Sequence, residues 1–236
     1  MSEHPILYTS VPCNFCHRVK VVCAAKGLEI ETVEIDLVRR PSWFKEKASH
    51  GRVPLFEDDQ GAFHGSVIIG EYLEERYPEP AMLPGDPAER AAARMWIEWW
   101  NRFGPTTPYE ERLMNVRPER EEALEARLMG ALEACDARLA ARGYQGGYWN
   151  GESLGLVDAH AAGVFTRFAG LRHFHGFEIP EKLGRVQAWH DAVMADPHVQ
   201  ATAPDTDELL TLLGEYRVVL KKAADAGIEV PVSGTD

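Results

Sequence analysis

The stretch Pro5-Ile6-Leu7-Tyr8-Thr9-Ser10-Val11-Pro12-Cys13-Asn14-Phe15-Cys16-His17 decides the fold of this chain. Its first five residues form a short apolar run typical of a β-strand, and apolar side chains at helical spacing follow from Cys13 to Lys26. Gly27 is a natural stop for that helix. Polar and apolar residues alternate over residues 29–36, which predicts a second strand. Because a helix connects the two strands, we expect them to run parallel in a small α/β unit.

The two cysteines of this stretch, Cys13 and Cys16, lie where the first predicted strand gives way to the first predicted helix. Unpaired N–H groups and the positive end of the helix dipole stabilise a thiolate at that place, and they lower a cysteine pKa from about 8.5 to roughly 3.5–7.5. Cys16 lies one turn inside the helix, whereas Cys13 is positioned to direct its sulfur at the helix start. The sequence therefore predicts Cys13 as a nucleophile.

Three other interpretations of the pair compete with this one. A zinc site needs four ligands, and neither a second Cys-x-x-Cys nor a His-x-x-x-His motif follows in the sequence. With His17 the motif also matches the attachment signature of c-type haem, but the first twelve residues lack the apolar run of an export signal. The third interpretation is a pair of buried structural thiols, which is how we interpret Cys23 and Cys135.

Size and composition restrict the function further. A chain of 236 residues that is 45% hydrophobic can form two domains with proper cores. Its net charge of −12 disfavours nucleic acid and anionic membrane surfaces as partners. The sequence has no apolar run long enough to span a bilayer, and four cysteines are too few for a disulfide framework. We expect a cytoplasmic protein without a metal ion.

A proline-rich stretch divides the chain. Before it, residues 53–64 predict a β-hairpin, and a helix is predicted from Ser66 to Tyr77. Four prolines then fall within ten residues. We predict an α/β domain over residues 1–78, a linker over 79–87, an all-helical domain over 88–229 and a flexible tail over 230–236.

The part beyond the linker has a helical pattern almost throughout. Helices are predicted over residues 88–103, 119–142, 156–169 and 183–195. Asp158 lies three residues after Gly155 at the start of the third of these helices. A carboxylate there can accept hydrogen bonds from free backbone N–H groups, so we interpret Asp158 as a structural cap rather than a catalytic group.

Taken together, these features resemble a cytosolic glutathione transferase. The likeness rests on Cys13, on the Val53-Pro54 step, on a Ser66-led helix that ends Tyr72-Leu73-Glu74-Glu75-Arg76-Tyr77-Pro78, and on the all-helical second domain. Three segments resemble the omega class and its bacterial relatives, which use a cysteine: Arg40-Pro41-Ser42-Trp43-Phe44, Gly51-Arg52-Val53-Pro54 and Leu156-Val157-Asp158. The resemblance implies a thioredoxin-like α/β domain, an all-α domain and glutathione as the co-substrate.

The resemblance also assigns catalytic and glutathione-binding residues. Cys13 matches the nucleophile that holds glutathione as a mixed disulfide, and Cys16 occupies the place of a resolving thiol. Pro54 matches a cis-proline, whose preceding residue Val53 turns its backbone toward the cysteinyl part of glutathione. Arg40, with Arg39 as an alternative, falls where the glycine carboxylate of glutathione is bound.

At the γ-glutamyl end of glutathione the expectations are mixed. Ser66 is expected to be the N-cap of its helix and to face the γ-glutamyl carboxylate. Gly65 stands where the family usually has an acidic or amide residue that contacts the γ-glutamyl amine, so that contact is either missing or supplied from elsewhere, for example across a dimer interface. Phe15 lies at an apolar position of the cysteine motif, where packing is expected.

The second-substrate pocket is expected between the domains, with Trp99, Phe103 and Tyr109 facing it and accepting a flat, hydrophobic substrate. We expect a homodimer that acts as a glutathione-dependent thiol transferase or reductase. Two alternatives stay open. One is conjugation of glutathione to an electrophile, and the other is a binding module without turnover, which Gly65 favours.

Overall fold

The computed structural model describes residues 4–48 and 50–228. Its N-terminal part contains a four-stranded sheet with helices on both faces. The elements are β1 (Ile6–Thr9), α1 (Asn14–Ala25), β2 (Glu31–Glu34), α2 (Ser42–Lys47), β3 (Leu55–Asp58), β4 (Gly61–His64) and α3 (Ser66–Arg76). The strand order is β2-β1-β3-β4. The β1–β2 pair is parallel, as the sequence predicts, and the other two pairs are antiparallel.

Side chains of the sheet alternate between two cores. Leu7 and Phe56 are partners in the β1–β3 register, and both are fully buried in the main core with side chains of α1 and α3. Tyr8 and its partner Leu55 point to the opposite face, where they pack with Phe44 of α2. Helices therefore cover both faces of the sheet, and the loop with the cysteines follows β1 at the carboxyl end of that strand.

The C-terminal part is helical, as expected, apart from connecting segments and one isolated bridge between Tyr148 and Gly151. Its helices are α4 (Pro87–Arg102), α5 (Thr106–Leu113), α6 (Glu121–Ala141), α7 (Leu156–Phe165), α8 (Phe168–His175), α9 (Gly184–Ala195), α10 (Pro197–Thr202) and α11 (Thr206–Asp225), with a 3₁₀ turn at Pro118–Arg120 before α6. No helix of the described residues is long and apolar enough to cross a bilayer.

The structure corrects some predicted boundaries. The helix predicted over residues 156–169 ends at Phe165, and a second helix starts at Phe168. Ser66 is not a helix cap, since it is the first residue of α3 and Gly65 occupies the cap position. Gly65 has a φ of 84°, which lies in the left-handed region that favours glycine. The cap therefore lies at Gly65, one residue before the predicted position at Ser66. The tail predicted over residues 230–236 lies outside the described residues, and the domain boundaries stay a prediction.

Helix α7 connects the two parts of the molecule, because it crosses α1 at very short range. A Cβ atom on Gly163 would lie 2.5 Å from the Asn14 carbonyl oxygen and 2.9 Å from Cγ of Arg18. Every residue of α7 is buried. The absence of a side chain at Gly163 therefore allows the helical part to pack directly against the helix that carries the cysteine motif.

Asp158 holds the start of α7 in the way the sequence predicts. Its Oδ2 accepts a hydrogen bond from the Gly155 N–H at 2.9 Å. Its Oδ1 accepts from the Trp149 N–H at 2.8 Å and from Trp189 Nε1 at 2.7 Å. The side chain is completely buried and all three contacts are within the helical part, so its role is structural.

Candidate active site

Cys13 is the N-cap residue of α1. Its backbone is extended, with φ −80° and ψ 112°, and its Sγ accepts a hydrogen bond from the Cys16 N–H at 3.3 Å. The side chain is partly exposed and lines a cavity of about 1030 Å³. The structure therefore places this sulfur at a helix N-terminus and in contact with space that a ligand can enter.

The surroundings of Cys13 favour its thiolate. The pKa of Cys13 is lowered to about 7, chiefly because the Cys16 thiol donates a hydrogen bond to it. Burial acts in the opposite direction, whereas the Cys16 and Phe15 N–H groups and the charge of Arg167 lower the pKa further. A substantial fraction of Cys13 is thus ionised at neutral pH, which is what a nucleophilic cysteine requires.

Cys16 has the opposite character. It is fully buried, and burial together with the neighbouring Cys13 raises the pKa of Cys16 well above its ordinary value. Cys13 and Cys16 are both free thiols. In this arrangement Cys16 stays protonated and serves as a hydrogen-bond donor to the Cys13 thiolate.

A buried arginine, Arg167, holds the loop that leads to Cys13. Its guanidinium donates to the carbonyl oxygens of Val11, Pro12 and Cys13 at 2.7, 3.1 and 3.0 Å. It also donates to the Thr166 hydroxyl at 2.9 Å and to a carbonyl oxygen of α7. All of these acceptors are uncharged. The Cys13 thiolate is a negative charge close to this cation, and it favours the charged form of the guanidinium.

The sequence analysis did not identify Arg167. The available signal was a single arginine in the largely apolar stretch of residues 154–171, where a buried charge demands a partner. That partner lies more than 150 positions away in the sequence, in the loop of the first part. Only the packing of α7 on α1 brings the two together.

The cavity has two different walls. The first part contributes the loops after β1 and β2, including Asp36, Arg39 and Arg40, together with His50 and Arg52. The helical part contributes side chains of α5, its C-terminal end and α11: Tyr109, Glu110, Leu113, Met114, Glu208, Leu212, Glu215, Tyr216, Val218 and Val219. One wall is therefore rich in cations, whereas the other combines apolar side chains with carboxylates.

The glutathione-binding residues predicted from the sequence fall into two groups. Phe15, Arg40 and Val53 line the cavity that contains Cys13, and Arg40 Nη1 donates to the Gly51 carbonyl oxygen at 2.6 Å. The peptide bond between Val53 and Pro54 is cis, as expected. The described residues that line the cavity do not include Pro54, Gly65 or Ser66.

The predicted aromatic pocket needs correction. Tyr109 lines the cavity, but Trp99 and Phe103 are not among its described lining residues. Trp99 is buried in the helical core against Trp96, with the Arg138 guanidinium over its ring at 4.4 Å. Phe103 follows the end of α4 and is 73% exposed. Of the three residues, only Tyr109 is placed to contact a molecule in the cavity.

Helix α11 supplies the wall that the sequence analysis missed. Leu212 and Tyr216 lie four positions apart on it, and both line the cavity. The apolar spacing of residues 209–220 was a usable signal for this helix. Which of its faces meets Cys13 depends on packing between distant elements and could not be derived from the pattern.

A thioredoxin-like sheet, a helical second part and a cysteine at the start of α1 define the fold of a glutathione transferase. Residues 7–81 match the family model of the glutathione S-transferase N-terminal domain, and residues 108–192 match the model of the glutathione S-transferase C-terminal domain. Together these matches span well over half of the sequence. The chain belongs to the glutathione S-transferase family.

Individual relatives agree with this assignment. Glutathione S-transferase omega-1 of Mus musculus is 29% identical over 228 residues, which covers 94% of this chain and 90% of the relative. Glutathione transferase Omega 3C from Trametes versicolor superposes with a TM-score of 0.78 at 21% identity, covering 95% of this chain and 94% of the other. Dehydroascorbate reductase of Chlamydomonas reinhardtii superposes with a TM-score of 0.70 at 24% identity, covering 92% and 100%.

Proposed function

We propose that this glutathione transferase is a thiol transferase or reductase in which Cys13 carries the glutathionyl group as a mixed disulfide. The observation that supports the proposal most directly is a cysteine Sγ at a helix N-terminus, with a pKa of about 7, in the wall of a large cavity. In the reaction, the Cys13 thiolate attacks the glutathionyl sulfur of a mixed disulfide and releases the other thiol. Glutathione then attacks the glutathionyl sulfur on Cys13, which regenerates the thiolate and yields oxidised glutathione.

Residues of the first part are proposed to bind both ends of glutathione. Arg40 and Val53 lie in the same cavity wall as Cys13, so we assign the glycine carboxylate to Arg40 and the backbone pairing of the cysteinyl part to Val53. Pro54 is proposed to shape that segment, and Phe15 to pack at its edge. The γ-glutamyl group is assigned to the start of α3, at Gly65 and Ser66.

The apolar side chains of α5 and α11 are proposed to receive the second substrate. Leu113, Leu212 and Tyr216 give that wall a hydrophobic character, and Tyr109 adds an aromatic face. The name of one relative, a dehydroascorbate reductase, also supports a reductase.

The experiment that tests the proposal is intact-mass measurement after brief exposure to oxidised glutathione. Wild-type protein should gain one glutathionyl adduct, and Cys13→Ser should gain none. Cys16→Ser should still form the adduct, since Cys16 is buried and protonated. Absence of an adduct on wild-type Cys13 would overturn the proposal, and addition of glutathione to a chloro-dinitro aromatic would then support the conjugating alternative.

A further inference from the structure

Glu110 is a carboxyl group in the cavity wall beside the reactive thiol. It lies on α5 and lines the same cavity as Cys13 and Asn14. The neighbouring Glu111 points elsewhere and forms an ion pair with Arg127. Among the described residues, the ion pairs do not include Glu110. This carboxyl group therefore faces the space where thiol exchange is proposed to occur, without a cation bound to it.

A hydrogen bond between α1 and the start of α5 fixes this position. Arg18 Nη2 of α1 donates to the Thr106 hydroxyl at the start of α5 at 3.2 Å, and Arg18 Nη1 donates to Asn101 Oδ1 at 2.6 Å. Residues four positions apart share one face of a helix. Asn14 therefore lies on the same face of α1 as Arg18, and Glu110 lies on the same face of α5 as Thr106. The two faces meet, which brings Glu110 next to Asn14 and to the adjoining Cys13.

The surroundings of Glu110, beside Asn14 and Cys13, allow its carboxyl group to give and take a proton. Asn14 is buried, and its Oδ1 accepts from the Phe15 N–H at 2.9 Å. Burial raises the pKa of Glu110 to about 8, against the smaller effects of Arg18 and the Asn14 amide, and the Cys13 charge raises it further. At neutral pH a carboxylic acid thus lies beside a thiol whose own pKa is about 7.

We propose that Glu110 is the proton donor and acceptor for thiol exchange at Cys13, an inference that rests on the proposed function. In the first step, the Cys13 thiolate attacks the glutathionyl sulfur of a disulfide. The bond from Cys13 to that sulfur forms, the old S–S bond breaks, and its electron pair leaves on the other sulfur. The departing thiolate takes the proton of the Glu110 carboxyl group and leaves as a thiol.

The second step returns the proton. The Glu110 carboxylate removes the thiol proton of a glutathione molecule, and the resulting thiolate attacks the glutathionyl sulfur on Cys13. The new S–S bond gives oxidised glutathione, and the electron pair of the broken bond returns to Cys13 as a thiolate. Over both steps one disulfide and one glutathione become one thiol and one oxidised glutathione, so atoms and electrons balance.

Several other charged groups surround Glu110 and affect its charge state. Cys13 and Arg18 approach Glu110 from α1, and Glu111 lies beside it on α5. The cavity-lining titratable groups of the facing α11 are Glu208, Glu215 and Tyr216. Arg167 acts on Cys13 and on Tyr109. Because so many ionisable groups surround Glu110, a pH profile alone is a poor test, and the identity of the leaving thiol is the sharper variable.

The test compares two glutathionyl disulfides in a single turnover, followed by the mass of the Cys13 adduct. One releases 2-mercaptoethanol, a basic alkyl thiolate that needs a proton, and the other releases 5-thio-2-nitrobenzoate, a stable thiolate that does not. The measurement is made at about pH 6.5, below the Glu110 pKa of about 8, where the Gln side chain matches the neutral acid in charge. Glu110→Gln should slow the alkyl reaction about 10²-fold and leave the aromatic reaction within about threefold.

Glu111→Gln is the matched control, because it removes the neighbouring carboxylate on the outer side of α5 and should leave both rates unchanged. Equal slowing of both reactions in Glu110→Gln would assign a structural role and overturn the inference. So would unchanged rates with both disulfides. A wild-type protein that takes up no glutathionyl group from either disulfide would instead overturn the proposed function itself.

Discussion

The N-termini of α1 and α7 show two uses of the same local structure. Near the start of each helix a side chain accepts a hydrogen bond from a backbone N–H group: Cys13, the N-cap of α1, and Asp158, three residues after the N-cap of α7. Asp158 accepts three hydrogen bonds of 2.7–2.9 Å and is fully buried. Cys13 accepts one backbone hydrogen bond and borders a cavity. Asp158, which is buried and hydrogen-bonded through both oxygens, stabilises the fold. Cys13, which borders the cavity, remains accessible and can react.

The largest loss of stability is expected from a change at Asp158, whose two carboxylate oxygens both accept hydrogen bonds. Asp158→Ala removes the acceptor for Gly155 and leaves the Trp149 N–H and the Trp189 indole N–H buried without a partner. We expect a loss of about 3–5 kcal/mol in the free energy of unfolding, measured by urea denaturation. Asp205→Ala is the control, since Asp205 caps the exposed start of α11 and should cost only about 1 kcal/mol. Equal losses for the two variants would contradict the comparison.

The contact between the two helices can be tested at Gly163. Gly163→Ala would place a Cβ atom 2.5 Å from the Asn14 carbonyl oxygen, so α1 and α7 must separate. We expect a loss of about 1–3 kcal/mol in the free energy of unfolding and slower alkylation of Cys13. Gly130→Ala in α6 is the matched control, because nothing lies within 4 Å of a Cβ there and the free energy should rise by roughly 0.5–1 kcal/mol. Destabilisation by both variants would point to a general intolerance of alanine rather than to this contact.

A smaller effect is expected from the thiol that donates to Cys13. Cys16→Ala removes the largest influence that lowers the Cys13 pKa, so the pKa should rise by about one pH unit. The measurement is the pH dependence of Cys13 alkylation by iodoacetamide, followed by mass. A rise in pKa means that less thiolate is present at neutral pH, and alkylation there should slow accordingly.

Cys23→Ala is the control for that experiment, because Cys23 is a buried thiol further along the same helix and does not contact Cys13 among the described hydrogen bonds. Its midpoint should match that of the wild type. An unchanged midpoint in Cys16→Ala would mean that the helix N-terminus alone sets the Cys13 pKa.

The smallest effect should come from the buried arginine. Arg167→Met removes a charge that lowers the Cys13 pKa, and the alkylation midpoint should rise by roughly half a pH unit. Arg167→Lys keeps the charge and should restore most of the wild-type midpoint, while losing several of the hydrogen bonds to the loop. If the lysine variant behaves like the methionine variant, loop geometry rather than charge controls the thiol.

Local features of the site could be predicted from the sequence, whereas features that depend on packing could not. Cys13 was identifiable because its role follows from the strand–helix junction that contains it. Asp158 was identifiable for the same reason. Glu110 and Arg167 acquire their roles only when α5 and α7 come to lie beside α1, so a local pattern could mark Arg167 as unusual but could not assign a role to either residue.

The errors have physical reasons of the same kind. Helix α4 carries three tryptophans close together near its C-terminal end, and the sequence did not show which aromatic residues of this stretch face the core. Trp99 therefore proved to be a core residue, and Phe103 an exposed one. The cap of α3 was misplaced by one residue because serine is a good cap in general, and only the backbone conformation of Gly65 shows that the cap lies one position earlier.

The hydrogen bonds of Arg167 have a consequence for protein synthesis. The loop and the thiol belong to the part that leaves the ribosome first, whereas the guanidinium that organises them is translated much later. Until α7 docks, the Cys13 thiolate lacks this neighbouring positive charge. The environment of the reactive sulfur is therefore complete only after the second half of the chain has been made and has packed against the first.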